Sequence, residues 1–445
     1  MGATRDIADF VVRPRAGVSP TADLVGRVLL DTVGVAIAGV SQDVSRTLLD
    51  WVADEPTTGR ARVWGTDLLL GPSQAALVNG TTAHALDWDD AVPSMPMHPG
   101  AVLLPAILAG LAGSCRRPAT GADLVRAYDV GSAVFRAVSE VLPIDVHYGR
   151  GWHNTSTTGR LAAVAALAHL TRLDEEQTRH ALGIVSSSVA GSLANFGTMT
   201  KPLHAGQAAR DAVMAVGLAS RGFTAHAEQL EAPKGFFALY GDDAELTGLP
   251  GRLAHWEQAW VEDWALKRYP SCFATHRAID AALRLDADPA AITGVTVSVP
   301  ATSTGPLLMQ RPTTGLEGKF NLDYTVARAL VTGPPTLADF TDEAVHDPAV
   351  VRLMDALSLD RRDSSGPGPH TWVEVTLADG SVRRQETVVT YGDAGDPLSD
   401  DDLAAKFTAA LGSAGRTAAD ADALRARLLG APQDDDLGWL QHELG

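Results

Sequence analysis

Cysteine is nearly missing from this chain: its 445 residues hold two, Cys115 and Cys272, far apart and in no C-x-x-C pattern. That fits a reducing compartment, and it excludes a structural zinc knuckle and the three thiolates of an aconitase-type iron–sulfur centre. Positive charge is also scarce. Lys and Arg number 36 against 54 Asp and Glu, a formal net charge of −18, which argues against nucleic acid or an anionic membrane as a partner. An anionic small molecule would need a local cationic cluster inside that negative field. No run of eighteen apolar residues occurs, and the first residues, MGATRDIADFVVRPRAG, contain no long apolar core before a cleavage site. A cytoplasmic protein without a membrane span is therefore expected. G-x-x-x-x-G-K-[ST], H-E-x-x-H, G-x-S-x-G and G-x-G-x-x-G are all absent, so nucleotide, zinc-protease and serine-hydrolase readings lose their main support. There is no internal repeat, and GPGP at 366–369 reads as a loop.

An apolar fraction of 45% suits an ordinary globular protein, and the length predicts two domains. The first two-thirds reads as helix. Leu24, Val28, Asp31 and Val35 share one helical face after Pro20 and Thr21. Asp174 with Gln177 forms a capping-box pattern that starts a helix near Glu175, and an Ala-rich helix is expected from near Leu161. From about residue 266 the texture changes: Val295, Val297 and Val299 alternate with polar residues, as do Val373, Val375 and Leu377 before the turn Asp379-Gly380. SVRRQETVVTYGD then reads as a return strand, 319–361 as helical, and the segment after Ser399 or Asp400 as helix again.

The chemistry-bearing residues cluster. His84 to Gly100, HALDWDDAVPSMPMHPG, places Asp87, Asp89 and Asp90 between two histidines; a metal site, the D-x-D-D acid motif of some terpene cyclases and a plain acidic cap all fit that stretch alone. HYGRGWHNTSTTGR (147–160) offers Tyr148, Arg150 and His153 before four hydroxyl residues, either an anion site or ordinary caps. FGTMTKPLHAGQAAR (196–210) sets Lys201 and His204 among apolar neighbours, where desolvation would lower a lysine's pKa. LKRYPSCFATHRAID (266–280) carries Lys267, Arg268, His276 and Arg277, and RPTTGLEGKFNLDYTVA (311–327) carries Arg311, Lys319 and Tyr324. Such cationic clusters suit an anionic substrate better than a hydrocarbon.

In order, the segments LLDTVGVAIAG, NGTTAHALDWDD, HPGAVLLPAILA, GWHNTSTTG, FGTMTKPLHAGQAARDAVMAVGLASRGFT, KRYPSC, EGKFNLDY and the C-terminal KF span nearly the whole chain. Together they resemble the 2-methylcitrate dehydratase (MmgE/PrpD) family, which includes cis-aconitate decarboxylase and iminodisuccinate epimerase. The resemblance implies a mainly α fold: a large all-helical domain, 1–265 completed by 395–445, plus a smaller α+β lid domain, 266–394, in a homodimer with the site between the domains. It implies bond making or breaking next to a carboxylate of a small di- or tricarboxylate, without metal or redox cofactor. Carried over by position, the site residues are Asp87, His98, His153, Lys201, Lys267 and Tyr324, and Tyr148 with the Asp87-to-His98 spacing is similar to the epimerase. On this reading Lys201 and Lys267 meet substrate carboxylates, with Lys201 a candidate base. His153 and Tyr148 form a proton-transfer pair, His98 donates to a leaving hydroxyl or to carbon, Asp87 orients His84 or His98, and Tyr324 helps bind substrate. Dehydration stands first, with epimerisation and decarboxylation as alternatives. Ala91 stands where relatives place Thr or Ser, and Asn154 where Pro is usual. These departures leave a non-catalytic carboxylate-binding protein as the rival of another class.

Overall fold

Helical periodicity in the first two-thirds of the chain becomes helix in the structure, a computed structural model that describes every residue except 1, 16, 18, 55–58, 114–117, 243 and 364–369. Cys115 and the GPGP loop fall outside the described residues. The Ala22–Gly39 helix is buried along most of its length. The Glu175–Ser186 helix opens on a capping box in which Asp174 accepts from the Gln177 amide and Gln177 returns to the Asp174 amide. Ser399 caps the Asp400–Ser413 helix through the Asp402 amide. Both chain ends feed one hydrophobic core, in which Val28, Leu29, Val102, Val134 and Leu161 meet Phe407, Leu411 and Leu428. Among the described residues no single helix is long and apolar enough to cross a membrane.

One helix begins earlier than its sequence suggests. The hydroxyl run reads as caps or an anion site ahead of an Ala-rich helix starting near Leu161, yet the helix runs Asn154–Thr171 with His153 as its N-cap, although threonine is a poor helix former. The hydroxyls of Thr157 and Thr158 bond back to the carbonyls of His153 and Asn154, and Thr155 to Thr158 are fully buried. Tertiary burial of this face overrides local propensity, so the hydroxyl run lies inside the first turns rather than ahead of them.

Two short strands, β1 (Ala61–Arg62) and β2 (Leu69–Leu70), form an antiparallel pair beside the helices. The main sheet lies further along: β3 (Ile292–Pro300), β4 (Leu357–Arg362), β5 (Thr371–Leu377) and β6 (Val382–Thr387), in the order β4-β3-β5-β6. β3 pairs antiparallel with β5, placing Val295 opposite Val375 and Val297 opposite Val373, and parallel with β4. Alternate residues of β5 enter a second core with Ile279, Val326 and Leu353. β4 corrects the helical reading of 319–361. The Leu322–Thr332 and Pro348–Asp355 helices are present, but Leu357 to Arg362 is an edge strand whose short Leu-Ser-Leu alternation is followed by charge, too brief to stand out. The molecule is thus mainly α, with a mostly helical part to which both chain ends contribute and a smaller α+β part around the four-stranded sheet; the β1–β2 pair interrupts the helical run expected over 1–265.

Candidate active site

The Pro72–Ala85 and Thr200–Ala219 helices cross where two glycines meet. A Cβ on Gly80 would lie 2.7 Å from the Gly206 Cα, and one on Gly206 would lie 2.1 Å from the Leu77 carbonyl oxygen. This close approach brings the start of the second helix, with Lys201 and His204, against the end of the first, with His84. Beyond that end Asp87 adopts φ 51°, a left-handed conformation uncommon outside glycine. A buried Arg160–Asp211 ion pair of 2.9 Å ties the Asn154–Thr171 helix to the Thr200–Ala219 helix and so sets His153 beside His204.

Two buried lysines converge on Asp87. Lys201 donates to Oδ1, and Lys267 lies 3.2 Å from Oδ2 while donating to the Asp87 backbone carbonyl at 2.9 Å. Burial alone would push the Asp87 carboxyl up; the ammonium groups of Lys201 and Lys267 outweigh it and hold it well below the ordinary range. Burial likewise pulls Lys267 down, but Asp87 and Asp89 reverse the direction and keep its ammonium charged.

The histidines are anchored by Asp89 rather than by Asp87, a correction to the expected role. Asp89 Oδ2 lies 2.8 Å from His84 Nδ1 and 3.5 Å from His98 Nδ1. Asp87 is unsuited to the task because two lysines already occupy its carboxylate. His98 Nδ1 also donates to the Asp90 carbonyl at 2.7 Å. A carbonyl can only accept, so this bond fixes the proton on Nδ1 and leaves Nε2 of the neutral ring as a base. His98 is therefore not preset as a proton donor. The His84, His98 and His153 rings form a cluster, with centroids 4.6 Å apart for His84–His98 and 6.1 Å for His84–His153. Burial, reinforced by the neighbouring lysines, pushes all three toward the neutral form.

His153 pairs with His204, not with Tyr148. The two Nδ1 atoms are 3.1 Å apart, so one ring must donate and the other accept; burial takes His204 down to about 4. The Tyr148 hydroxyl is buried without a hydrogen-bond partner, and its phenol, pushed up by burial, neighbours Cys272. Cys272 in turn feels Asp87, Lys267 and Lys201, which places Tyr148 at the margin of the cluster. Tyr324 is not brought in. Its hydroxyl donates to the Asp339 carbonyl and its ring packs on Phe340 in the second core, because a phenol buried there needs a partner and this carbonyl supplies it. Arg150 and Arg311 form exposed ion pairs with Asp242 and Asp355, away from the cluster.

The cluster also holds residues to which sequence reasoning gave no role. Lys319 is buried, over the Phe340 ring, and burial takes it down to about 7. Lys406 pairs with Asp31 at 2.6 Å. Each lysine precedes a phenylalanine, in the EGKFNLDY and C-terminal KF segments that carry the family resemblance, but neither received a site role there. Asp90 is pushed up to about 7 by burial and by Asp89, and accepts from the Gly100 amide at 2.8 Å. His84, Asp89 and His98 also offer three ligand atoms within 4.8 Å of one another. Lys267, 4.0 Å from the Asp89 carboxylate, already supplies the positive charge a cation would bring there. The arrangement is one of fixed ammonium charges beside neutral bases, suited to an anion that must lose or gain a proton.

Residues 5–248 match the MmgE/PrpD N-terminal domain, and residues 269–428 match the MmgE/PrpD C-terminal domain. Similar proteins include cis-aconitate decarboxylase of Mus musculus, 28% identical over 398 residues covering 86% of this chain and 81% of the relative. The Homo sapiens cis-aconitate decarboxylase is likewise 28% identical, with 86% and 82% covered. A 2-methylcitrate dehydratase of Cupriavidus necator is 25% identical, with 87% and 84% covered. Decarboxylase and dehydratase are both lyase names, and with both family domains matched in order the chain belongs to the MmgE/PrpD family of enzymes.

Proposed function

We propose that this chain is a lyase that removes a proton from the carbon next to a carboxylate of a small tricarboxylate, such as 2-methylcitrate, and expels the neighbouring hydroxyl as water. The observation that carries this reading is the convergence of Lys201 and Lys267 beside imidazoles held neutral. An ammonium has three N–H groups, so each lysine can meet a substrate carboxylate while keeping Asp87. As the α proton leaves, charge moves onto that carboxylate, and preorganised donors stabilise it by roughly 3–4 kcal/mol each. His98 Nε2 takes the proton. Asp89, 3.5 Å from the ring, stabilises the imidazolium, which returns the proton to the departing hydroxyl so that water leaves and the double bond forms.

Decarboxylation is the second reading, supported by the similarity to cis-aconitate decarboxylases. It requires a proton donor for the carbanion left by CO2, a role open to the ammonium groups of Lys201 and Lys267. Proton NMR of 2-methylcitrate, citrate and cis-aconitate incubated with the enzyme in D2O separates the outcomes. Loss of water with all carbons retained, seen as a new vinyl signal from citrate or as collapse of the methyl doublet of 2-methylcitrate to a downfield singlet, supports dehydration. Loss of a carbon as CO2 overturns it in favour of decarboxylation, and deuterium entry into an unchanged skeleton overturns it in favour of epimerisation.

A further inference from the structure

Three consecutive backbone carbonyls at the left-handed turn each accept from a different buried lysine. Lys319 donates to the Leu86 carbonyl at 2.9 Å, Lys267 to that of Asp87 at 2.9 Å, and Lys406 to that of Trp88 at 2.7 Å. The turn leaves the C-terminus of the Pro72–Ala85 helix, where carbonyls lack intrahelical donors and favour cations. These bonds help hold Asp87 at φ 51°, a conformation uncommon outside glycine. The lysines come from three places. Lys406 lies on the C-terminal Asp400–Ser413 helix and is anchored by Asp31. Lys267 lies at the junction between the two cores. Lys319 belongs to the α+β part, and its second acceptor is the Pro270 carbonyl at 2.8 Å.

We propose that Lys319 and Lys406 are positioning residues: with Lys267 they clamp the turn at residues 86–88, so that the Asp87 carboxylate is aimed between Lys201 and Lys267 only while the α+β part is seated. The backbone dihedrals at Asp87 decide where its carboxylate points, and that carboxylate is the shared partner of the two lysines assigned to substrate. The clamp thereby couples docking of the α+β part to assembly of the cationic site. Its effect on turnover rests on the lyase reading above; its effect on the turn does not.

Lys319→Met, Lys406→Met and the double variant test this in the full chain, by hydrogen–deuterium exchange and by kcat/KM on 2-methylcitrate. In the intact turn the Asp87, Ala91 and Val92 amides donate to His84, Ala265 and Met97. The clamp predicts at least about tenfold faster exchange over 84–92 in each single variant, with the Asn154–Thr171 helix unchanged, and at least about a tenfold loss of kcat/KM. Because both lysines act on one turn, the double variant should be little worse than the poorer single variant, whereas independent support of two separate elements would multiply the losses. Unchanged exchange over 84–92, or multiplied losses, would overturn the proposal. Faster exchange there, with no turnover of the tricarboxylate even by the unsubstituted enzyme, would uphold the clamp and overturn the lyase reading. Should a methionine variant not fold, Lys319→Gln or Lys406→Gln is judged by the same exchange criterion.

Discussion

Each buried charge at the site is answered by a specific neighbour, and replacing a single side chain leaves the others uncompensated. Lys201→Ala leaves the buried Asp87 carboxylate short of one cation, and His153→Ala leaves His204 without its ring partner. Each should lower turnover by at least about a hundredfold, measured as kcat in a variant whose circular dichroism matches the parent; near-normal turnover would sink the assignment. Asp90 offers a test of stability. Its folded pKa of about 7 lies above the unfolded carboxyl value near 4, so the folded chain holds the extra proton between those values. Stability contributed by Asp90 is full below about pH 4 and is lost as pH rises toward 7. Asp90→Asn mimics the protonated form, so its Tm advantage over the parent should grow from pH 4 to pH 7. A difference that stays constant across that window would contradict the account.

At the scale of elements, the site depends on two helices that touch through glycine. Gly206→Ala would put a methyl carbon 2.1 Å from the Leu77 carbonyl oxygen, which the backbone can relieve only by moving apart. A loss of about 1–3 kcal/mol is expected in urea unfolding, together with reduced turnover as Lys201 withdraws from Asp87; an unchanged midpoint would show that the contact is slack. Local sequence signals announced what they control. The Asp174 box and the Ser399 cap began helices where expected, and alternating valines marked β3 and β5. Non-local effects stayed hidden: the threonine run became helix because another surface covers it, and β4 became a strand because β3 supplies its hydrogen bonds. The same limit explains Asp89. From spacing alone, Asp87 and Asp89 are equivalent carboxylates flanking a tryptophan; only the arrival of Lys201 and Lys267 from distant segments decides which faces lysine and which faces histidine.

For the whole molecule, the cationic site lies where two hydrophobic cores adjoin. One core runs to Leu266 and resumes at Leu398, the other takes up Tyr269 and Cys272, and Phe196 reaches into it from the helical side. A chain with net charge −18 thus gathers Lys201, Lys267, Lys319 and Lys406 into one buried neighbourhood. The global field argues against nucleic acid or an anionic membrane; on the proposed function, the local arrangement suits a small polyanion. A crystal structure with 2-methylcitrate or citrate bound tests that claim most directly. The account predicts one carboxylate within hydrogen-bond distance of the Lys201 and Lys267 ammonium groups, with the adjacent carbon about 3–3.5 Å from His98 Nε2. A carboxylate held elsewhere, with His98 turned from the substrate carbon, would contradict it.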